Sequence, residues 1–380
     1  LYRESTLSRY SLPEETASFF TSLAALYNEN NPDNLTDPAA RRKFVDEAGL
    51  LYEKQRTAVY RDGYSSTAVT LEADVIIAGF EAFLKHTENA ITGNKRDDGL
   101  YHAYNTLEVD SSGNMHVHRL TAMLEGQVAV ISSGKLTSEE VISLCTALKK
   151  SPLFREDQYS YMLYPDKELP HFCGKNSVQA SEAEKIPLLA QMISAGDGRI
   201  IRKDADGLCH FNPDFRNART MEDLLPGLLK DSPYAEMLDT KTLEAIHVLY
   251  EKTFDHRSFT GRSGTFYAYE GLGSIYWHMV SKLLLAVQEY AQKETDSKLK
   301  KELTAWYYDI RKGIGFNKTP AKYGTFPTDP YSHTPAGQGA KQPGMTGQVK
   351  EEILTRWVEL GLSVESETLS ISCPLLNPAE

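Results

Sequence analysis

The sequence predicts an all-α protein, an (α/α)6-type helical barrel or toroid, with the start of a small β segment at its C-terminus. Roughly ten stretches repeat apolar residues at helical spacing. Stacked helix pairs closing into a ring would bury that many apolar faces economically. After Gly361 the pattern changes: Leu362-Ser-Val-Glu-Ser-Glu-Thr-Leu-Ser-Ile-Ser372 alternates with period two, as a strand or hairpin does. The domain expectation is therefore a barrel over 1–360 and the start of a β domain over 361–380.

The elements follow in order. Residues 14–28 carry Ala17, Phe19, Phe20, Leu23, Leu26 and Tyr27 on one helical face, and a polar turn runs from Asn28 to Asp37. The pattern from Pro38 to about Tyr60 holds Phe44, Val45, Leu50, Leu51 and Val59. Thr67 to Ile91 reads as one strongly apolar helix, ended by Gly93-Asn94. Leu120 to Ser132 is helical, and Thr137-Ser138-Glu139-Glu140 starts a helix that reaches Lys150. The span 152–180 is irregular and rich in Tyr and Pro. Helical patterns return at 181–195 and 220–230, with short β-like runs between Arg199 and Asn217. Thr240–Phe254, Ser274 to about Glu289, 294–312 and 347–359 complete the helices. The long Gly-, Pro- and Thr-rich loop 313–345 has the length of a functional loop.

The chain has 380 residues, 41% hydrophobic, enough for one large core or two ordinary domains. A net charge of −11 argues against general nucleic-acid binding. The short basic runs at 41–43 and 298–301 read as solvated helix faces. No apolar run reaches membrane-spanning length, so no membrane partner is expected. Cys145, Cys173, Cys209 and Cys373 show no C-x-x-C spacing, which fits a reduced, cytoplasmic protein. His102, His256, His278 and His333 lack a second ligand at i, i+4, and His116-x-His118 alone is weak, so no metal is expected. The chain opens on Leu1 and closes just after an alternating segment; both ends read as cuts in a longer polypeptide.

Candidate chemistry gathers in loops. Residues 255–282 combine His256, Arg257, Arg262, Ser263 and Thr265 with Gly261 and Gly264, then Gly271-Leu272-Gly273-Ser274 opening a helix. Ser274 is a good N-cap, and Gly273 allows close backbone approach. Glycines before a helix N-terminus, flanked by arginines, suit an anion. Phe266, Tyr267, Tyr269, Tyr276 and Trp277 add flat apolar faces that suit a sugar. The alternative is a buried helix with a tight Gly-rich start.

The loop Arg96-Asp97-Asp98-Gly99-Leu100-Tyr101-His102-Ala103-Tyr104-Asn105 places two carboxylates beside an Arg, a His and two Tyr. Sugar cleavage needs a carboxylic acid that donates a proton to the leaving oxygen, and adjacent like charges can raise one pKa. A plain Asp-Gly turn is the alternative. Glu125 can orient Arg96 or bind a sugar hydroxyl, or be an ordinary surface Glu. Arg155 to Tyr161, with Gln158, is dense in polar and aromatic groups; the run His210–Asn217 reads as structural. A second Gly- and Thr-rich loop, Tyr331 to Lys350, carries His333 and Gln342 into another helix N-terminus. Arg96, Tyr101, His102, Glu125, Gln158, Tyr269, Glu270, His333 and Gln342 are the expected substrate contacts.

These residues resemble the catalytic helical-barrel region of the inverting glycoside phosphorylases, the cellobiose phosphorylase family and its relatives acting on β-linked glucans. Asp97-Asp98-Gly99 stands where that family has Trp-Asn-Asp-Gly. Glu125-Gly126-Gln127 is similar to its Gly-Glu-Ser helix start, and Gly271-Leu272-Gly273-Ser274-Ile275-Tyr276-Trp277 to its phosphate-contacting turn. Leu272 stands where the family has a phosphate-binding Thr, and Lys95-Arg96 where it has Trp before the acid. The resemblance implies that Asp98 protonates the glycosidic oxygen. Phosphate, held by His256, Arg257 or Arg262, Thr265 and the Gly273-Ser274 amides, then attacks with inversion. It implies inorganic phosphate as co-substrate, no cofactor, and an oligosaccharide or glucan as partner; a homodimer is compatible with it. Two other readings stay open: an inverting hydrolase with Glu270 or Asp157 as base, and a non-catalytic glycan-binding barrel.

Overall fold

The computed structural model describes residues 8–166, 171–254, 273–327, 329–344, 347–365, 367–371 and 375. The chain divides into two units, one formed by Leu1–Pro165 with Ile275–Glu380 and the other by Asp166–Ser274.

In the first unit, strand β1 (Arg9–Pro13) leads into helix α1 (Glu14–Glu29), and α2 (Pro38–Asp62) is capped by the Asp37 carboxylate. Strand β2 (Ala68–Glu72) pairs antiparallel with β1 from Arg9↔Glu72 to Pro13↔Ala68, and α3 (Ala73–Gly93) follows. Aromatic edges lock these helices: Phe20 meets Phe80 and Phe83, and Tyr27 meets Phe44 and Phe83. Hairpin β3 (Thr106–Val109) and β4 (Met115–His118) turns at Gly113, where φ is +84°, and the Asp110 carboxylate accepts from the Ser112 and Asn114 amides. Then come α4 (Leu124–Ser132) and α5 (Ser138–Lys150), the latter opened by a reciprocal Thr137–Glu140 capping box. Strands β5 (Phe154–Arg155) and β6 (Ser160–Tyr161) form a tight pair.

The second unit holds α6 (Phe172–Lys175), β7 (Val178–Gln179), α7 (Ala180–Ala183), α8 (Pro187–Ser194), β8 (Ile201–Lys203), β9 (Leu208–Phe211), α9 (Ala218–Leu229) and α10 (Thr240–Phe254). Its sheet runs β7-β9-β8, all antiparallel. Its own core includes Ile200, Cys209, Phe211, Met221, Leu225 and Ile246. Asn176 is buried, donating to the Phe211 carbonyl and accepting from the Phe211 amide, both at 2.8 Å. Asn176→Ala should cost about 2–4 kcal/mol, because both Phe211 groups lose their partner. Hydrogen exchange at the Phe211 amide, accelerated in the variant, checks this.

The first unit resumes with β10 (Ile275–Tyr276), α11 (Trp277–Lys293), α12 (Ser297–Arg311), α13 (Pro320–Tyr323), β11 (Tyr331–Thr334), β12 (Lys341–Pro343) and α14 (Gly347–Glu359). The hairpin β13 (Leu362–Glu365) and β14 (Thr368–Ile371) follows. Helix α11 is the hub: Trp277, Val280, Leu283, Leu284, Val287 and Ala291 are fully buried, and α4, α12 and α14 pack on it. An isolated bridge pairs Met162 with Ile275, just outside the two ends of the second unit.

The all-α expectation is overturned. Among the described residues six small antiparallel sheets accompany the helices, so the fold is mixed, and no barrel is shown. Strands of two to five residues are too short for period two to stand out beside long helical runs. Ala68–Glu72 was absorbed into the helix expected over 67–91, because Val69 and Leu71 fit either period. The β3–β4 hairpin lies where the sequence reads as a loop. Among the described residues no helix is long and apolar enough to cross a membrane.

Candidate active site

Sheet β10-β11-β12 builds the centre of the candidate site. Its register sets Tyr276 opposite His333 and His333 opposite Lys341. The Tyr276 and His333 rings stack at 4.8 Å and 12°. His333 Nδ1 lies 3.2 Å from Gln342 Oε1, and burial lowers the imidazole pKa, which favours the neutral ring. The Tyr276 hydroxyl lies 3.3 Å from His278 Nδ1, and His278 Nε2 lies 3.1 Å from Glu351 Oε1 on α14. Burial, then the Glu125 and Glu351 carboxylates, raise the Tyr276 pKa. Glu125, His333 and Gln342 therefore gather around one tyrosine. Among the described residues, the second oxygen of Glu351 is buried with no hydrogen-bond partner.

The Asp-rich loop is tied to the same region through α4. Gln127, fully buried, accepts from the Tyr101 amide (2.8 Å) and donates to the carbonyls of Tyr101 and Met123 (both 2.9 Å). Gly126 lets the chain pass Ala103, since a Cβ there would sit 2.5 Å from the Ala103 methyl. Glu125 stands in the same turn of α4. Within the loop, Arg96 grips Asp98 through two nitrogens (3.0 and 2.8 Å), and the Leu100 amide donates to Asp98 Oδ1 (3.1 Å). The Arg96 hydrogen bond lowers the Asp98 pKa and keeps the carboxyl ionised. A raised pKa through Asp97 was expected; the guanidinium two residues away decides the direction instead. His102 is pushed down by burial and by Arg96, and its Nδ1 is buried without a partner among the described residues.

A second polar group centres on the β5–β6 loop. Arg155 is buried and holds Asp157 at 2.7 and 2.9 Å. Its third nitrogen donates to the Thr334 carbonyl (2.7 Å), while the Trp277 indole donates to the Thr334 hydroxyl (2.9 Å). Arg155 holds Asp157 below the usual carboxylate range. Buried Gln158 donates to the Lys322 carbonyl (2.7 Å) and accepts from Lys318 (3.2 Å). Tyr159 sits at φ +49°, pinned by Asp309 and Lys149 through its hydroxyl (2.6 and 2.7 Å). Strain of this kind persists where the surroundings over-determine it. Gly313 backs it, because a Cβ there would lie 2.1 Å from the Tyr159 carbonyl.

The position of Gly273, at φ +61°, favours glycine: a Cβ would be strained there and would lie 2.5 Å from Asp166 Oδ1. Ser274 is buried and does not cap α11, which starts three residues later because Ile275 and Tyr276 pair with β11 first. His256, Arg257, Arg262, Thr265, Tyr269 and Glu270 lie outside the described residues. The run His210–Asn217 does structural work: His210 pairs with Asp204 at 2.9 Å, and Asn217 caps α9. Among the described residues, no group of three His, Cys, Asp or Glu is placed to hold a metal ion.

Sequence reasoning missed four groups. Glu351 and Glu352 stand on the last helix without remark in the sequence, yet burial raises the Glu352 pKa, offset in part by a 2.8 Å bond from Gln348. Lys318 lay unremarked in the long loop, and His278 was weighed only as a metal ligand.

The second unit carries a recognisable signature, which supports a glycoside phosphorylase as the class of enzyme. Residues 169–257, most of that unit and less than a quarter of the chain, match the family model described as GH149 phosphorylase insertion domain 2. No curated protein matches the sequence.

Proposed function

We propose that the chain belongs to an enzyme that cleaves β-glucosidic bonds of an oligosaccharide or glucan by inverting phosphorolysis. The insertion-domain match over 169–257 carries the reading. The gathering of Glu125, Tyr276, His333 and Gln342 beside the loop that holds Asp98 supports it. Asp98 protonates the glycosidic oxygen, for which its carboxyl must first leave Arg96 and take up a proton. Inorganic phosphate, bound by His256, Arg257 or Arg262, Thr265 and the amides of Gly273 and Ser274, attacks the anomeric carbon from the opposite face. Phosphate is its own nucleophile, so no protein base and no cofactor take part.

One observation favours a second reading. Asp157 is exposed and held ionised by Arg155, as the base of an inverting hydrolase would be. The full polypeptide assayed on a β-glucan panel separates the two. Phosphorolysis predicts sugar 1-phosphate release that rises with phosphate concentration and stops without it. Equal sugar release with and without phosphate refutes it.

A further inference from the structure

Lys318 is a half-buried lysine whose charge the described residues leave unneutralised. Its ammonium stands 4.6 Å from the centre of the Trp277 ring and 5.8 Å from that of Tyr323. Its hydrogen bond goes to a neutral amide, Gln158 Oε1, at 3.2 Å. Among the described residues no carboxylate lies within ion-pairing distance of it. Asp157, which faces it, is committed to Arg155 through both oxygens, and Lys322 adds a further positive charge nearby. An ammonium has three donors. One is met by Gln158 and one face by the indole, which leaves an N–H and a net charge for something else.

The surroundings are rigid. Gln158 is held by the Lys322 carbonyl, Trp277 by Thr334, and Tyr323 is fully buried. The loop that carries Gln158 is fixed in a left-handed turn by Tyr159. Holding a partly desolvated cation without a counter-charge is costly, and the fold has spent the nearest carboxylate on Arg155. Trp277 and Tyr323 supply flat faces against the ammonium.

We propose that Lys318 anchors an oxyanion subsite, taking a phosphate group either as the free ion or as the ester of a sugar phosphate. The choice of phosphate among oxyanions rests on the phosphorylase reading; the subsite itself rests on the geometry around Lys318.

Thermal shift and calorimetry on the full chain test it, with inorganic phosphate, sulfate and glucose 1-phosphate as separate probes. All three are expected to bind the wild type if the subsite takes ions and esters alike; phosphate and sulfate without glucose 1-phosphate marks the free ion as its ligand. Lys318→Met is expected to weaken each bound anion at least tenfold. Methionine fills the aromatic cage, so the variant should melt no lower than the wild type, whereas Lys322→Met should keep affinity within about twofold. Sulfate keeps its charge between pH 6 and 9, and gives a reading that needs no variant. Burial, then Lys322, lowers the Lys318 pKa to about 7, with Asp157 opposing and Arg155 adding to the effect. Sulfate affinity should therefore fall with rising pH above 7, approaching tenfold per unit. Anion affinity unchanged in Lys318→Met, no anion binding at all, or a flat sulfate profile overturns the proposal. Failure of the two readings is separable. Phosphorolysis with unaltered phosphate and sulfate affinity in Lys318→Met removes the subsite and leaves the function. Lys318-dependent sulfate binding without phosphorolysis does the reverse.

Discussion

On the proposed role of Asp98, Asp98→Asn should lower phosphate-dependent cleavage by about 10²–10⁴-fold, the range that a positioned proton donor contributes, and should leave the melting temperature almost unchanged. The two effects separate because of where Asp98 sits. Its carboxylate is half exposed and its ion pair is with a partly exposed arginine, a class of pair worth about 0–1 kcal/mol. Asparagine keeps an oxygen for the Leu100 amide. The sign of the pH dependence follows from the same pair. Arg96 lowers the Asp98 pKa, so the donor form is scarce at neutral pH and kcat/KM should rise as pH falls towards the carboxylate range. The stability that the pair lends is present above the unfolded pKa and is lost as pH falls through the folded one. Glu352→Gln is the comparison, since among the described residues Glu352 is a carboxyl that burial drives towards the protonated state. Loss of phosphorolysis in Glu352→Gln, with Asp98→Asn still active, assigns the proton to Glu352 and refutes Asp98. Steady-state kinetics of both variants, beside their melting curves, decide it.

Gln127→Leu removes about 3–5 kcal/mol from the first unit, on the order of 10 °C in melting temperature. The side chain is fully buried and makes three hydrogen bonds, two of them to the Tyr101 backbone. Leucine matches the volume and strands the Tyr101 amide and carbonyl without partners. The same bonds tie the loop 96–105 to α4, so activity should fall further than the stability loss alone accounts for. Scanning calorimetry with parallel activity at a temperature where the variant is folded checks both parts. An unchanged melting point would mean that Tyr101 finds other partners.

Helices such as α1 and α10 were legible because they bury a stripe at one period. Residues 14–28 and Thr240–Phe254 are helical as their spacing predicts, and the alternation after Gly361 is a hairpin. Short strands were not legible, because β10 has two residues and its partner lies almost sixty positions away. The boundary between the units was invisible too, since Pro165-Asp166 and Ser274-Ile275 sit in aromatic, polar sequence with no change of composition. At the site, residue type alone pointed to Glu125, His333 and Gln342, but what unites them is the ring of Tyr276, first weighed as a sugar platform. Asp98 shows the opposite limit. Sequence adjacency favoured Asp97 as its electrostatic neighbour, and only side-chain geometry shows the guanidinium of Arg96 across both oxygens. Lys318 owes its character to burial against residues 41 and 160 positions upstream, a separation no local pattern encodes.

The bridge between Met162 and Ile275 has a consequence for how the chain is threaded. The excursion of 166–274 leaves from and returns to neighbouring points of one antiparallel pairing. Closing it costs entropy that grows only with the logarithm of its length, about 0.6 kcal/mol for each doubling. The excursion can therefore shrink, expand or be exchanged with little effect on the pairing that spans its base, and a different module can stand there without redesign of the unit that carries it.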